Sequence, residues 1–252
     1  MDPYIKRKIL KKHGTSFEEI EDYIAIEKKL IVSVNGKEMI SLYCTPSMIK
    51  ELVTGFFLTE GIFTDKFLMD KMKIVYGEEV MIDIPVDKDI FKEGMVPSRC
   101  LGGVTLNKEM NYEKVIDDFS ITAESLKTIF NEYHRKSELF KLTGCFHSAA
   151  LSDGERILVF ADDIGRHNVV DKVIGYSILE DIPLSKKLML VSCRLSSEIV
   201  SKCSRFGVSI IASRAAPTSL AIDISEACGI TLVGFMRGDR MNVYTHTQRI
   251  IQ

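Results

Sequence analysis

LMLVSCRLSSEIVSKCSRFGVSIIASRAAPTSLAIDISEACGITLVGFM, residues 188–236, is the stretch whose reading decides the fold. Its apolar runs LMLVSC, VSIIAS and ITLVGFM read as strands, and the segments 196–206 and 217–228 between them read as helices. Strand–helix–strand–helix–strand order requires right-handed crossovers and predicts a mostly parallel sheet covered by helices. Just upstream, CFHSAAL and RILVFA flank Ser152-Asp153-Gly154 and predict a hairpin, with a helix over 166–180 following it. The fold class is α/β.

The N-terminal half reads differently. KKLIVSVNGKEMISLYC (28–44) is a hairpin around Asn35-Gly36, the dipeptide suited to a type I′ turn. TPSMIKELVTGFFLTEG (45–61) predicts a helix with Thr45 as cap, Pro46 in the first position and Gly61 as stop. Met48, Ile49, Leu52, Val53, Phe56 and Phe57 share its apolar face. VMIDIPV (80–86) is a strand, and ITAESLKTIFNEYHR (121–135) a helix capped by Thr122 with Leu126, Ile129, Phe130 and Tyr133 aligned. Between Asp87 and Asp118 the periodicity dissolves into a charged, glycine-bearing segment that contains PSRCLGGV (97–104). These readings divide the chain into an N-terminal α+β part, 1–118, with a mobile Cys100 loop, and a C-terminal α/β core, 119–252; a single domain is the alternative.

A chain of 252 residues, 46% hydrophobic and 27% charged, has the make-up of a globular protein. A formal net charge of -2 gives no electrostatic argument for nucleic acid as a partner. No run approaches the ~18 apolar residues of a membrane span, and MDPYIKRKILKKHG lacks the apolar centre of a signal peptide, so no membrane partner and a cytoplasmic location are expected. The basic run KRKILKK reads as a solvated arm. Six cysteines without a CxxC read as mostly buried thiols of a reducing compartment, with Cys193, Cys203 and Cys228 in the core. Cys100 is the exception, because a Gly/Pro loop exposes a thiol and makes its reactivity matter.

Polar residues gather where the strands should end. DDIGRHNVVDK sets Asp162, Asp163, Arg166, His167 and Asn168 at a strand end and first helical turn, with Asp171 and Lys172 just inside. CRLSSE repeats the arrangement with Arg194, Ser196, Ser197 and Glu198, and SRAAPTS with Ser213, Arg214, Thr218 and Ser219. FMRGDRMN adds Arg237, Asp239, Arg240 and Asn242. Helix N-termini joined by arginines suit a polyanion, and open α/β sheets bind ligands at the carboxyl ends of their strands. The expected ligand is a nucleotide or a dinucleotide-like cofactor. His167 suits ligand contact or proton handling. His147 admits the same reading or that of a buried, hydrogen-bonded ring. GxGxxG, the P-loop and the H-x-E…P-C-x-x-C zinc-deaminase signature are absent. Cys145 and His147 with Cys193 or Cys203 match no standard zinc spacing, so no metal site is assigned.

TGCFHSAAL, DDIGRHNVVDKVIG, SSEIVSKCSRFGV, SRAAPTSLAI and GITLVGFMRGDRMNVYTHTQR strongly resemble the FdhD family of formate dehydrogenase accessory sulfurtransferases, as does VNGKEMISLYCTPSMIKELVTGFFLTEGI. The resemblance implies a core related to cytidine-deaminase-like folds, a mixed sheet with flanking helices, without the deaminase zinc site. It implies a sulfur carrier that takes sulfur from a cysteine desulfurase as a persulfide on Cys100. The sulfur passes to the bis-molybdopterin guanine dinucleotide (molybdenum or tungsten) needed by the formate dehydrogenase apoenzyme. By motif, Phe235, Met236, Arg237, Gly238, Asp239 and Arg240 match the family's cofactor-binding loop. Arg194, Ser196, Ser213, Arg214, Thr218, Arg166, His167, Asn168 and His147 join it as expected cofactor-binding residues, and GDP-like nucleotides are expected to bind there. A homodimer is implied as well. Many relatives carry Cys-x-x-Cys in the loop, whereas here Gly103 stands at the second position. A non-catalytic chaperone that only delivers the cofactor is the alternative.

Overall fold

The computed structural model describes residues 2–63, 66–86 and 114–252. The chain opens with a two-stranded ribbon, β1 (Tyr4–His13) against β2 (Ser16–Ala25). The sequence reading had no strand here: KRKILKK is solvent-exposed, as expected of an arm, but it is regular β structure. Its partners are acidic. Arg7 lies opposite Asp22 and Lys11 opposite Glu18, and Lys8 Nζ is 3.0 Å from Glu19 Oε1 on the diagonal. Cross-strand charge pairs hold the ribbon together where an apolar alternation is missing.

The next unit is a four-stranded sheet in the order β4-β3-β6-β5, from β3 (Lys28–Val34), β4 (Lys37–Cys44), β5 (Lys73–Tyr76) and β6 (Val80–Ile84). Asn35 and Gly36 join β3 to β4 with φ of 50° and 75°, the two positive values a type I′ turn requires. Helix α1 (Ile49–Thr59) covers one face, burying Leu52, Val53, Phe56 and Phe57 against Leu30, Val32, Val80 and Ile82. Thr45 does not cap it, and Pro46 is not its first residue. The helix begins three residues later than expected, behind a left-handed Met48 that makes no side-chain cap. Thr45 is instead buried: its N–H donates to Asp163 Oδ2 at 3.0 Å, and its hydroxyl accepts from the Ile164 N–H at 3.1 Å.

The larger sheet runs β13-β12-β11-β10-β8-β9. Its strands are β8 (His147–Ser152), β9 (Ile157–Asp163), β10 (Leu188–Val191), β11 (Ile210–Ser213), β12 (Thr231–Arg237) and β13 (Arg240–Val243). Only β10–β11 and β11–β12 pair in parallel; β8–β9, β8–β10 and β12–β13 are antiparallel. The sheet is therefore mixed rather than mostly parallel. The β8–β9 hairpin lies beside β10 with β8 inverted, and β12 turns back on itself. Helices α4 (Arg166–Leu179), α5 (Ser197–Ser204) and α6 (Ser219–Cys228) cover one face through Met189, Val191, Ile211 and Leu232. Helix α2 (Ala123–Lys136), capped by Thr122 as expected and followed by the short α3 (Glu138–Thr143), covers the other through Leu188, Leu190, Ile210 and Ala212. Both faces are buried, which is why these strands read as unbroken apolar runs. No helix of the described residues is long and apolar enough to cross a membrane.

Helices α1 and α4 join the two units, with their backbones in close approach at two glycines. A Cβ at Gly55 would lie 1.8 Å from Asp171 O, and one at Gly175 would lie 1.9 Å from Glu51 O. Beside this crossing, Lys202 Nζ of α5 donates to Asp171 Oδ1, Glu60 Oε1 and Thr59 Oγ1 at 2.9, 2.8 and 2.8 Å. Burial alone would lower the Lys202 ammonium pKa, but Asp171 and Glu60 outweigh it and raise it. Lys172, also buried, pairs with Asp163 at 2.6 Å and donates to Thr45 O.

Candidate functional site

Strand direction assembles the site. β10, β11 and β12 run in parallel, and β9 runs with them because it is antiparallel to β8, itself antiparallel to β10. Their carboxyl ends therefore share one edge, where Arg194 and Arg214 stand in the following loops, Arg166 opens α4 and Arg237 closes β12. His147 opens β8 opposite Asp163, and Arg240 opens β13 opposite Arg237, so both reach the same edge. Helices α4, α5 and α6 begin there. Each presents backbone N–H groups and the positive end of its dipole. The loops after β10 and β11 are tied together, with the Leu195 N–H on Ala216 O and the Thr218 N–H on Leu195 O.

The polar run DDIGRHNVVDK splits in two. Asp163, Asp171 and Lys172 were grouped with the ligand-facing residues in the sequence, yet they are fully or almost fully buried in the ion pairs between α4 and its neighbours. Asn168 is engaged too, donating to Tyr43 O at 3.0 Å and to Asp163 Oδ1 at 2.8 Å. Arg166 and His167 remain half-buried at the edge. Asp162 beside them accepts from the Ser137 hydroxyl at 2.7 Å, and burial pushes its carboxyl up to about 6.

His167 Nε2 has two partners, one of which needs this nitrogen bare and the other needs it to carry a proton. It lies 3.3 Å from Arg166 Nε, which can only donate, and 2.9 Å from Glu198 Oε2, which can only accept. The neutral ring with its proton on Nδ1 takes a hydrogen bond from Arg166 at Nε2; the Nε2–H tautomer and the protonated ring give one to Glu198. Burial lowers the His167 pKa, against the pull of Glu198 and with the help of Lys202 and Arg166. His147 is also lowered by burial, then by Arg166; its Nδ1 is 3.4 Å from Ser192 Oγ, which accepts from the Ser148 N–H. Arg166 thus influences both imidazoles, and the edge can hold a proton at one defined atom, His167 Nε2.

The remaining positions differ in their freedom. Arg194 is exposed, and Ser196, just before α5, has a buried Oγ with no hydrogen-bond partner among the described residues. Ser213 Oγ donates to Cys193 O at 2.6 Å and accepts from the Ala215 N–H; Thr218 caps α6 through the Ala221 N–H. Within the irregular end of β12, Phe235 is left-handed at φ 55°, and the Arg240 guanidinium lies 5.2 Å from its ring centre. Arg237, Gly238 and Asp239 are exposed, whereas Met236 is buried against α2.

The sequence reading missed two residues at this edge. His134 Nε2 accepts from Arg214 at 2.6 Å, and Lys127 pairs with Asp239 at 2.5 Å. They lie seven positions apart on one face of α2, a spacing that could have revealed them. Cys145, just before β8, is exposed. Cys193 is buried, and its thiol is pushed up to about 11 by that burial. Among the described residues no three His, Cys, Asp or Glu side chains are grouped to hold a metal ion. Cys100 and its loop lie outside the described residues. The described chain on either side of that loop is anchored. Val86 exchanges two hydrogen bonds with the Asn35 side chain, at 2.7 and 2.8 Å. Asp117 accepts from Ser209 Oγ at 2.6 Å and forms a buried pair with Arg249 at 3.3 Å.

Fold and edge define a class of protein: a mixed-sheet α/β protein whose strand ends gather arginines, histidines and helix N-termini on one side. Within that class the chain belongs to the FdhD/NarQ family, whose model matches residues 25–251. It is 35% identical over 262 residues to the sulfur carrier protein FdhD of Bacillus pumilus, covering 100% of both chains. It is 36% identical to the protein of that name from Bacillus subtilis, covering 92% of each. Among solved structures, a formate dehydrogenase accessory protein from Desulfotalea psychrophila superposes with a TM-score of 0.82 at 27% identity, over 99% of this chain and 100% of that one.

Proposed function

We propose that this protein is a sulfur carrier for formate dehydrogenase maturation, with Cys100 as the carrying thiol and the strand-end edge as the seat of the receiving cofactor. In the first step the Cys100 thiolate attacks the terminal sulfur of a cysteine desulfurase persulfide. The outer S–S bond forms on Cys100 as the desulfurase thiolate leaves. In the second, that sulfur passes as a neutral atom to the reduced molybdenum or tungsten centre of bis-molybdopterin guanine dinucleotide. The metal gives up two electrons, and the Cys100 thiolate is released. Arg99 beside Cys100 favours the thiolate electrostatically.

The observation that carries the reading is the edge itself. Arg166, Arg194, Arg214, Arg237 and three helix N-termini suit the pyrophosphates of a guanine dinucleotide. The unpartnered Ser196 hydroxyl suits a further acceptor oxygen. Full-length similarity to proteins named sulfur carriers supports the chemistry. A cytoplasmic location, homodimerisation and kinship of the core with cytidine-deaminase-like folds belong to the same proposal. The family resemblance is the ground for that kinship.

Gly103, standing where many relatives have a second loop cysteine, favours one other reading: a chaperone that delivers the cofactor without moving sulfur. Mass spectrometry after incubation with a desulfurase and cysteine separates the two. A gain of about 32 Da on Cys100, one sulfur atom, is expected of the carrier. Its absence, with GDP binding retained, identifies the chaperone. Full formate dehydrogenase maturation by the Cys100→Ala protein would refute the carrier role.

A further inference from the structure

Helix α2 covers the larger sheet through Leu126, Ile129, Phe130 and Tyr133, and the flank beside that apolar face looks onto the strand-end edge. Lys127, Asn131 and His134 follow one another along this flank at helical spacing. His134 Nε2 accepts from Arg214 at 2.6 Å, and Lys127 Nζ lies 2.5 Å from Asp239 Oδ1. The second of these pairs is lopsided. The Lys127 side chain is 27% exposed and also lies 3.4 Å from Glu124 on its own helix, whereas the Asp239 side chain is 90% exposed. The lysine is built into the helix surface, and the aspartate reaches in from outside. Asp239 stands at the tip of the two-residue turn between Arg237 and Arg240, which face each other in the ladder. Its neighbour Gly238 has φ of 57°, and a Cβ there would meet nothing within 4 Å, so the tip stands clear of the body. A cation fixed in the wall and a carboxylate on a free tip make a contact that can open without disturbing the fold.

We propose that Lys127 is a phosphate ligand of the strand-end edge and that Asp239 is its built-in competitor, a carboxylate that holds the ammonium until a polyanion displaces it. The exchange swaps one ion pair for another, with no covalent bond made or broken. An exposed salt bridge is weak, so little opposes its opening. A pyrophosphate brings several acceptor oxygens and is held by the arginines of the edge while Lys127 binds it, whereas Asp239 offers a single carboxylate. The competitor also sets a threshold. A ligand with one negative charge gains little by replacing it, and one with several gains more. Asp239 therefore acts against ligand binding, unlike the arginines on either side of it. The latch presupposes the preceding reading of the edge as the seat of a polyanion, and none of its sulfur chemistry.

Titration calorimetry of the full chain with GDP, and separately with inorganic pyrophosphate, tests the latch. Asp239→Asn is expected to bind both about threefold more tightly than wild type, the share that one exposed pair withholds. Lys127→Ala is expected to bind them about tenfold more weakly, having lost a charge-assisted hydrogen bond. The decisive protein carries both substitutions. With no ammonium to compete for, it is expected to bind as weakly as Lys127→Ala alone, so the gain from Asp239→Asn vanishes. A gain that persists in full without Lys127 is a general effect of removing negative charge and overturns the proposal. Weaker binding by Asp239→Asn overturns it too, by marking the carboxylate as a direct contact of the ligand. Tight binding by wild type that Asp239→Asn leaves unchanged overturns the latch alone. If neither wild type nor Asp239→Asn binds either probe, the edge is no seat for a polyanion and both readings fall.

Discussion

Two sets of charges leave the same eleven-residue run, Asp162–Lys172, in opposite directions. Asp163, Asp171 and Lys172 turn inward and are fully or almost fully buried in ion pairs that join α4 to β9 and to α5. Arg166 and His167 turn to the strand-end edge, half-buried. Helical phase makes the division: from Arg166 onward each residue turns by about 100°, so near neighbours in sequence face different surroundings. Residues of the same chemistry hold the molecule together on one side and leave capacity for a ligand on the other.

The largest effect should come from emptying the inward set. Lys202→Ala leaves the buried Asp171 and the part-buried Glu60 without their cation and is expected to cost about 3–5 kcal/mol in denaturant unfolding. Much of the loss should return when Lys202→Met is combined with Asp171→Leu and Glu60→Gln, because no unpaired charge is then left at the cluster. Gly55→Ala is expected to cost about 3 kcal/mol in the same measurement, since its Cβ would overlap the backbone of Asp171 and force α1 off α4.

At the edge the pattern should invert. Arg166→Ala is expected to change unfolding free energy by less than about 0.5 kcal/mol, while weakening GDP binding about tenfold by titration calorimetry. A stability loss as large as that of Lys202→Ala would erase the distinction between the two sets.

The smallest effect concerns pH. Burial holds His147 and His167 below their ordinary values. The unfolded chain then binds more protons than the folded one as pH falls below about 6.5, and stability declines with acidification. Asp162, raised to about 6, acts in the opposite sense between about 4 and 6, so the useful quantity is a difference between variants. Glu198→Gln removes the group that supports the protonated His167 ring. It should lower the NMR titration midpoint of that ring and steepen the decline relative to wild type.

The α/β class, the order of the C-terminal elements and the strand-end arginines were legible because each depends on local periodicity and on where strands stop. What was not legible depended on partners far away in the chain. Thr45 has the residue type of a helix cap and the position of one, but Asp163 and Ile164, more than a hundred residues on, claim its N–H and hydroxyl. Asp171 and Lys172 looked like members of the edge because Lys202, Glu60 and Thr45 are invisible from within their own segment. The ribbon β1–β2 escaped because it is held by alternating charges, which a search for apolar alternation passes over.

The buried pair of Arg249 with Asp117 has a consequence in time. Its members are separated by 132 residues. A ribosome adding about 5–20 residues per second needs roughly 7–26 s to travel from one to the other. Until then the chain leaving the Cys100 segment lacks its counter-ion and the strand β14 (Ile250–Ile251) that pairs with β7 (Ile121–Thr122). The N-terminal sheet can close around α1 long before that, so the nascent protein has a finished hairpin at one end of this segment and an open end at the other. The described chain that resumes at residue 114 is therefore synthesised well before the counter-ion and the strand that hold it.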